Sequence, residues 1–134
     1  MSNSPFYSIL PTHMDLYAEN ILDHYRHPRG KQLLASPTVT HEEVNISCGD
    51  ALKVFLTIKN DCIAEVGWDG SGCAISQAAM SMLSEEIVGK SLVEVEAIKK
   101  ENIFAMLGVP IGARRLKCAL LGLQAVKNAL AHAT

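Results

Sequence analysis

The sequence predicts an α+β fold: a small three-stranded antiparallel sheet with helices packed on one face. Three observations predict it. Residues 38–69 carry strand-like runs joined by links too short for a crossover helix, which favours an antiparallel meander. From Cys73 onward the apolar period changes from two residues to about 3.6. Strands come first and helices later, where a parallel sheet would alternate them. At 134 residues and 49% hydrophobic content, the chain can bury a core without disulfide staples. Residues 1–134 therefore read as a single domain, with 1–12 as a flexible lead-in.

A helix is expected over residues 15–26, where Leu16, Ile21, Leu22 and Tyr25 can share a stripe. Pro28 should stop it, since proline disfavours helix in the residue before it. His24 and His27 read as polar residues of a surface helix. Residues 31–37 form a connector. Residues 38–46 are rich in β-branched side chains but alternate poorly, as an edge strand can. In the next strand, residues 50–59, Leu52, Val54, Leu56 and Ile58 face one way and Lys53, Phe55, Thr57 and Lys59 the other. Asn60-Asp61 is a turn signal. The third strand, residues 63–69, is expected to put Ala64, Val66 and Trp68 on one face.

Helical spacing then links Ile75, Ala79, Met82, Leu83 and Glu86 or Ile87, and Gly89 closes that helix. Ser91 and Glu94 form a capping box for residues 91–99, with Val95 and Ile98 facing inward. Residues 103–107 are a short apolar helical turn, broken by Gly108, Pro110 and Gly112. The last helix spans about 113–132, with Leu116, Leu120, Leu123, Val126 or Lys127, and Leu130 on its inner face.

Composition removes several function classes. A net charge of −2 and 5% aromatic residues supply neither the basic surface nor the stacking platforms of a nucleic-acid binder. No apolar run approaches the roughly 20 residues of a membrane span. The first residues lack a basic-then-apolar export pattern, so the expected compartment is the reducing cytoplasm. Four cysteines in that setting read as ligands, nucleophiles or core residues.

Three of them stand at junctions between elements. Cys48 and Asp50 lie two apart at the entry to a strand, where extended chain points both side chains the same way. Gly49 between them lets the backbone bend. Cys73 follows Gly70-Ser71-Gly72 and opens a helix, whose N-terminal dipole favours a thiolate. Cys118 follows Arg114, Arg115 and Lys117, cations that would also favour ionised sulfur if they lie near it. Convergence of Cys48, Asp50, Cys73 and Cys118 would make a metal or iron–sulfur site. Its oxygen ligand would be weaker toward a soft metal than sulfur, which favours exchange over permanence. Taken singly, each cysteine reads equally well as a small buried residue, and the spacings match no short CxxC zinc pattern. Cys62, without flanking glycine, reads as a partly buried strand residue.

At these residues the sequence resembles the U-type iron–sulfur assembly proteins, the NifU N-terminal, IscU and SufU family, from about Tyr17 to Leu130. Leu22-Asp23-His24-Tyr25-Arg26-His27-Pro28-Arg29 is similar to that family's N-terminal signature. Ser47-Cys48-Gly49-Asp50, Gly70-Ser71-Gly72-Cys73-Ala74-Ile75-Ser76 and Lys117-Cys118-Ala119-Leu120-Leu121 resemble its three ligand motifs. The resemblance implies a scaffold that accepts sulfur from a cysteine desulfurase and builds a transient [2Fe–2S] cluster for apo-protein acceptors. Cys48, Cys73 and Cys118 would receive sulfur or hold iron, Cys118 would be the first persulfide acceptor, and Asp50 the labile ligand. Zn2+ at the same four residues, in a SufU-type sulfurtransferase, is the alternative. A non-catalytic metal-binding interaction domain is a third. Lys117 stands where scaffold-type members carry His, which leans toward the SufU branch. The chain lacks that branch's insertion between the second and third cysteines. Leu107-Gly108-Val109-Pro110-Ile111-Gly112 does not preserve the chaperone-recognition stretch of the IscU branch, and Ile46 replaces a common proline. The sequence leaves the oligomeric state open.

Overall fold

The structure is a computed structural model that describes residues 13–133; the expected lead-in over residues 1–12 lies outside them. Its elements are α1 (His13–Arg26), β1 (Val39–Asn45), β2 (Asp50–Lys59), β3 (Cys62–Ser71), α2 (Ala74–Ile87), α3 (Leu92–Glu96), α4 (Lys100–Leu107), a 3₁₀ turn (Ala113–Arg115) and α5 (Leu116–Ala133). The sheet has the order β1-β2-β3, antiparallel throughout. The expected meander and the α+β class are both present. No helix among the described residues is long and apolar enough to cross a membrane.

Helix α5 lies against β1 and β2, α2 lies against β3, and the two helices pack on each other. Leu52, Val54 and Leu56 of β2 project into this layer and are fully buried. Among the described residues the opposite face carries no helix. There the 31–37 connector crosses the sheet, and the carbonyl of Gln32 occupies the space a Cβ at Gly67 would need. That crossing explains why Phe55, paired with Gly67, is buried on the supposedly outer face.

Strand β3 departs from simple alternation. The pairing runs Leu56↔Val66 and Thr57↔Glu65, then jumps to Ile58↔Ile63. Ala64 is the extra residue of a bulge, and a bulge reverses the inward phase beyond it. Ile63, Val66 and Trp68 are therefore buried, and Ala64, expected on that face, is exposed.

Two helical faces also differ from expectation. Over residues 16–26 of α1 the buried side chains are Ile21 and His24, whereas Leu16, Leu22 and Tyr25 are exposed. His24 is not a surface residue: its Nδ1 lies 2.7 Å from the Ser81 hydroxyl. Ser81 also accepts from the backbone N–H of Arg29 at 2.8 Å, and the Arg29 carbonyl accepts from the Trp68 indole N–H at 2.8 Å. The turn after α1 is thus bonded into the α2–β3 layer through polar groups that an apolar-stripe reading passes over. On α5, Leu116 is exposed and Leu120 half-buried. The buried set includes Ala119, Leu123, Val126 and Leu130 together with Cys118, Leu121, Gly122, Ala125 and Ala129, because sheet and α2 cover the helix from two sides.

Two termination signals behave as read, while α2 ends with Val88 as its C-cap, in extended conformation, and Gly89 follows it at a left-handed φ of 87°. Ser91 caps α3, accepting from the Glu94 N–H while the Glu94 carboxylate accepts from the Ser91 N–H. Gly108 closes α4 in the left-handed region.

Candidate metal centre

The turn between β1 and β2 carries the first two site residues. Asn45 and Asp50 close it as a cross-strand pair. Within it the N–H of Cys48 donates to the Asn45 carbonyl at 3.3 Å, and Gly49 takes a left-handed φ of 71°. The expected extended i, i+2 geometry is not what aims Cys48 and Asp50 together. Asp50 starts the strand, and the tight turn folds Cys48 back toward it. Asn45, whose role the sequence reading missed, fixes the turn: its Oδ1 accepts from the Ser47 N–H at 3.2 Å and its Nδ2 donates to Cys48 Sγ at 3.4 Å. An Asn two residues before a Ser is a recognisable Asx-turn signal.

Cys73 is the N-cap of α2, in extended conformation. Its N–H donates to Asp50 Oδ1 at 2.8 Å, and its Sγ lies 3.6 Å from Oδ2. Asp50 is fully buried, so a carboxylate desolvated at the sheet's end is held by a backbone donor at a helix N-terminus. Gly72 makes room for this contact. Its φ is +143°, and a Cβ there would overlap the Asp50 carboxylate.

Cys118 enters from the first turn of α5. Its Sγ lies 2.8 Å from Cys48 Sγ. The two sulfurs and an Asp50 carboxylate oxygen all fall within 4.8 Å of one another. Cys73 borders this trio through its contact with Asp50. All three cysteines line one open depression of about 550 Å³, with Ser47, Arg114 and Arg115 on its walls. Cys62 stands at the far end of β3, bridged to Ser91, about 30 Å of strand away from Ser71 at 3.3 Å per residue.

The thiol of Cys118 behaves opposite to expectation. Burial first, then its contacts with Cys48, Asp50 and Cys73, push its pKa well above the ordinary thiol value. The side chains of Arg114, Arg115 and Lys117 are exposed, so water screens their charge while acidic neighbours touch the sulfur. Such a thiol stays protonated until a cation takes the proton's place. Three sulfurs and one carboxylate at an open mouth can hold a thiophilic metal and leave it reachable.

Fold and site together define a class: an α+β domain whose β1–β2 turn, α2 N-terminus and α5 first turn present cysteines to one solvent-open cup. Residues 16–133 match the model of the NifU-like N-terminal domain, and the chain belongs to that family. It is 29% identical to the iron–sulfur cluster assembly scaffold protein IscU of Thermotoga maritima, over 86% of this chain and 92% of that protein. It is also 29% identical to the zinc-dependent sulfurtransferase SufU of Bacillus subtilis, over 87% of this chain and 90% of that one. The crystal structure of FiSufU from Fervidobacterium islandicum superposes with a TM-score of 0.69 at 28% identity, covering 90% of this chain and 99% of that one.

Proposed function

We propose that this protein is an iron–sulfur cluster assembly scaffold. A cysteine desulfurase supplies sulfur, a transient [2Fe–2S] cluster forms on Cys48, Asp50, Cys73 and Cys118, and apo-proteins receive it. The observation that carries this reading is the meeting of Cys48, Asp50 and Cys118 within 4.8 Å, with Cys73 in contact with Asp50, at an open depression. An accessible cup suits cargo that must arrive and leave; a structural zinc site is closed. The single oxygen ligand is the weakest tether to soft iron or zinc, and Asp50 is the release point.

Cys118 is our proposed sulfur acceptor. Its thiolate attacks the terminal sulfur of the desulfurase persulfide, the donor S–S bond breaks, and the desulfurase cysteine leaves as thiolate. Burial and its neighbours push the Cys118 thiol's pKa up, and a cation held by the same residues would favour its thiolate.

Anaerobic reconstitution with iron, a desulfurase and cysteine tests the reading. Visible charge-transfer absorption that moves to an apo-ferredoxin is the expected result. A colourless product under those conditions contradicts it. A zinc-dependent sulfurtransferase is the second reading, favoured by Lys117. Its side chain is exposed and offers no imidazole to iron. That reading expects about one zinc per chain and faster desulfurase turnover on mixing, with no transferable cluster.

A further inference from the structure

We propose that Cys48 and Cys118 form a reversible disulfide when no metal holds them, so that the cup loads only in its reduced state. The bond follows from the placement of the two sulfurs. Its effect on loading rests on the function proposed above.

All four cysteines are free thiols. Cys118 Sγ lies 2.8 Å from Cys48 Sγ, across 70 residues of chain. A disulfide bond is about 2.05 Å long, so the sulfurs have about 0.8 Å left to close. The two ends are not equally fixed. Cys118 is buried in the first turn of α5, beside the core residue Ala119. Cys48 belongs to the 46–49 turn, which two long backbone bonds hold: Cys48 N–H to the Asn45 carbonyl and Gly49 N–H to the Ile46 carbonyl, both 3.3 Å. Ile46 is 91% exposed, and a Cβ on Gly49 would meet nothing within 4 Å. The turn has room to carry Cys48 the remaining distance while α5 stays in place. Cys73 is the poorer partner, because Asp50 accepts from its N–H at 2.8 Å and draws its thiol at 3.6 Å. Cys62 is at the far end of β3.

Cys48 is the member that meets the oxidant. It is half-buried on the wall of the open depression, and Asn45 Nδ2 donates to its Sγ at 3.4 Å, a contact that favours the thiolate. That thiolate attacks one sulfur of a small disulfide such as oxidised glutathione. The glutathione S–S bond breaks and one half leaves as thiolate. Cys118 then attacks Cys48 Sγ, giving its proton to solvent, and the second half leaves. Two protein thiols have lost two electrons, and two glutathione thiols have gained them. A dithiol reverses the exchange. A metal takes thiolates, so the oxidised cup keeps only Asp50 and Cys73 of the proposed ligands. A bound ion acts the other way, since it occupies both sulfurs and shields them from the oxidant.

The test uses the full chain, freed of metal by a chelator and titrated with oxidised glutathione in the absence of oxygen. The monomer should lose two of its four thiols. Digestion should yield one peptide pair joined through Cys48 and Cys118, with Cys62 and Cys73 still open to alkylation. Zinc affinity should fall at least tenfold and return on adding dithiothreitol. A chain loaded with Zn2+ beforehand should keep all four thiols. Four thiols surviving in the metal-free chain would overturn the proposal. So would glutathione adducts that never resolve, cross-linked dimers in place of monomer, or a bond through Cys62 or Cys73. A Cys48–Cys118 bond that lowers zinc affinity less than tenfold would overturn the closing of the cup, and the proposed ligand set with it, while leaving the bond itself established.

Discussion

Replacing Gly72 by alanine probes the least forgiving contact of the cup. The substituted Cβ would overlap the Asp50 carboxylate, at a backbone φ of +143°. Forcing an L-residue into that region costs about 1 kcal/mol. Moving the carboxylate breaks its 2.8 Å bond from the Cys73 N–H, and losing a charge-assisted bond to a fully buried group costs about 1.5–3 kcal/mol. The expected destabilisation is therefore about 2.5–4 kcal/mol. It is read as a lower urea midpoint at unchanged slope, since the surface exposed on unfolding stays the same. Zinc affinity should fall at least about tenfold, because the displaced Asp50 is a proposed ligand and also accepts from the Cys73 N–H. A loss below about 0.5 kcal/mol with unaltered zinc binding would refute the packing argument for the 70–73 turn.

Other perturbations separate the remaining parts. Asp50→Ala should slow the transfer of a bound cluster to an acceptor, and faster transfer would contradict its role as the weak tether. Burial, then the charge of Arg29, holds the His24 pKa below its ordinary value. A depressed histidine contributes stability above the unfolded-state pKa of about 6.5, and loses it as pH falls from there through the folded value. Urea midpoints should decline over that range, and His24→Gln should flatten the decline; an unchanged slope would mean His24 is not the group responsible. Ser91→Ala removes the hydroxyl that accepts from the Glu94 N–H at the start of α3 and should cost about 1 kcal/mol in urea unfolding. A cost near zero would show that packing of Val95 alone fixes this short helix.

The sheet, its order and the sequence of helices were legible because strand alternation, the Asn60-Asp61 turn, the Ser91 capping box and the glycines act over a few residues; α3 stops at Glu96 rather than 99, and α4 starts at Lys100 rather than 103. Facing was less legible wherever a non-local neighbour decides it. The bulge at Ala64 depends on how β3 pairs with β2, and no pattern in β3 alone reveals it. The inward turn of His24 depends on Ser81, remote along the chain, and the burial of Phe55 depends on a loop crossing the sheet. The three cysteines and Asp50 were legible as candidates from their glycine-marked junctions and their family motifs. The environment of Cys118 was not. Sequence puts Arg114, Arg115 and Lys117 next to it, while the fold turns their side chains into water and puts Cys48, Asp50 and Cys73 at the sulfur. Adjacency along a helix start is a poor guide to which charges a buried atom feels.

The most direct measurement is zinc-edge X-ray absorption on oxygen-free, zinc-loaded protein, repeated on Cys62→Ser. Three sulfurs at about 2.3 Å and one oxygen at about 2.0 Å, the same in both samples, are the result expected for Cys48, Cys73, Cys118 and Asp50. A first shell with fewer than three sulfurs, or one that loses a sulfur when Cys62 is replaced, would contradict that ligand set.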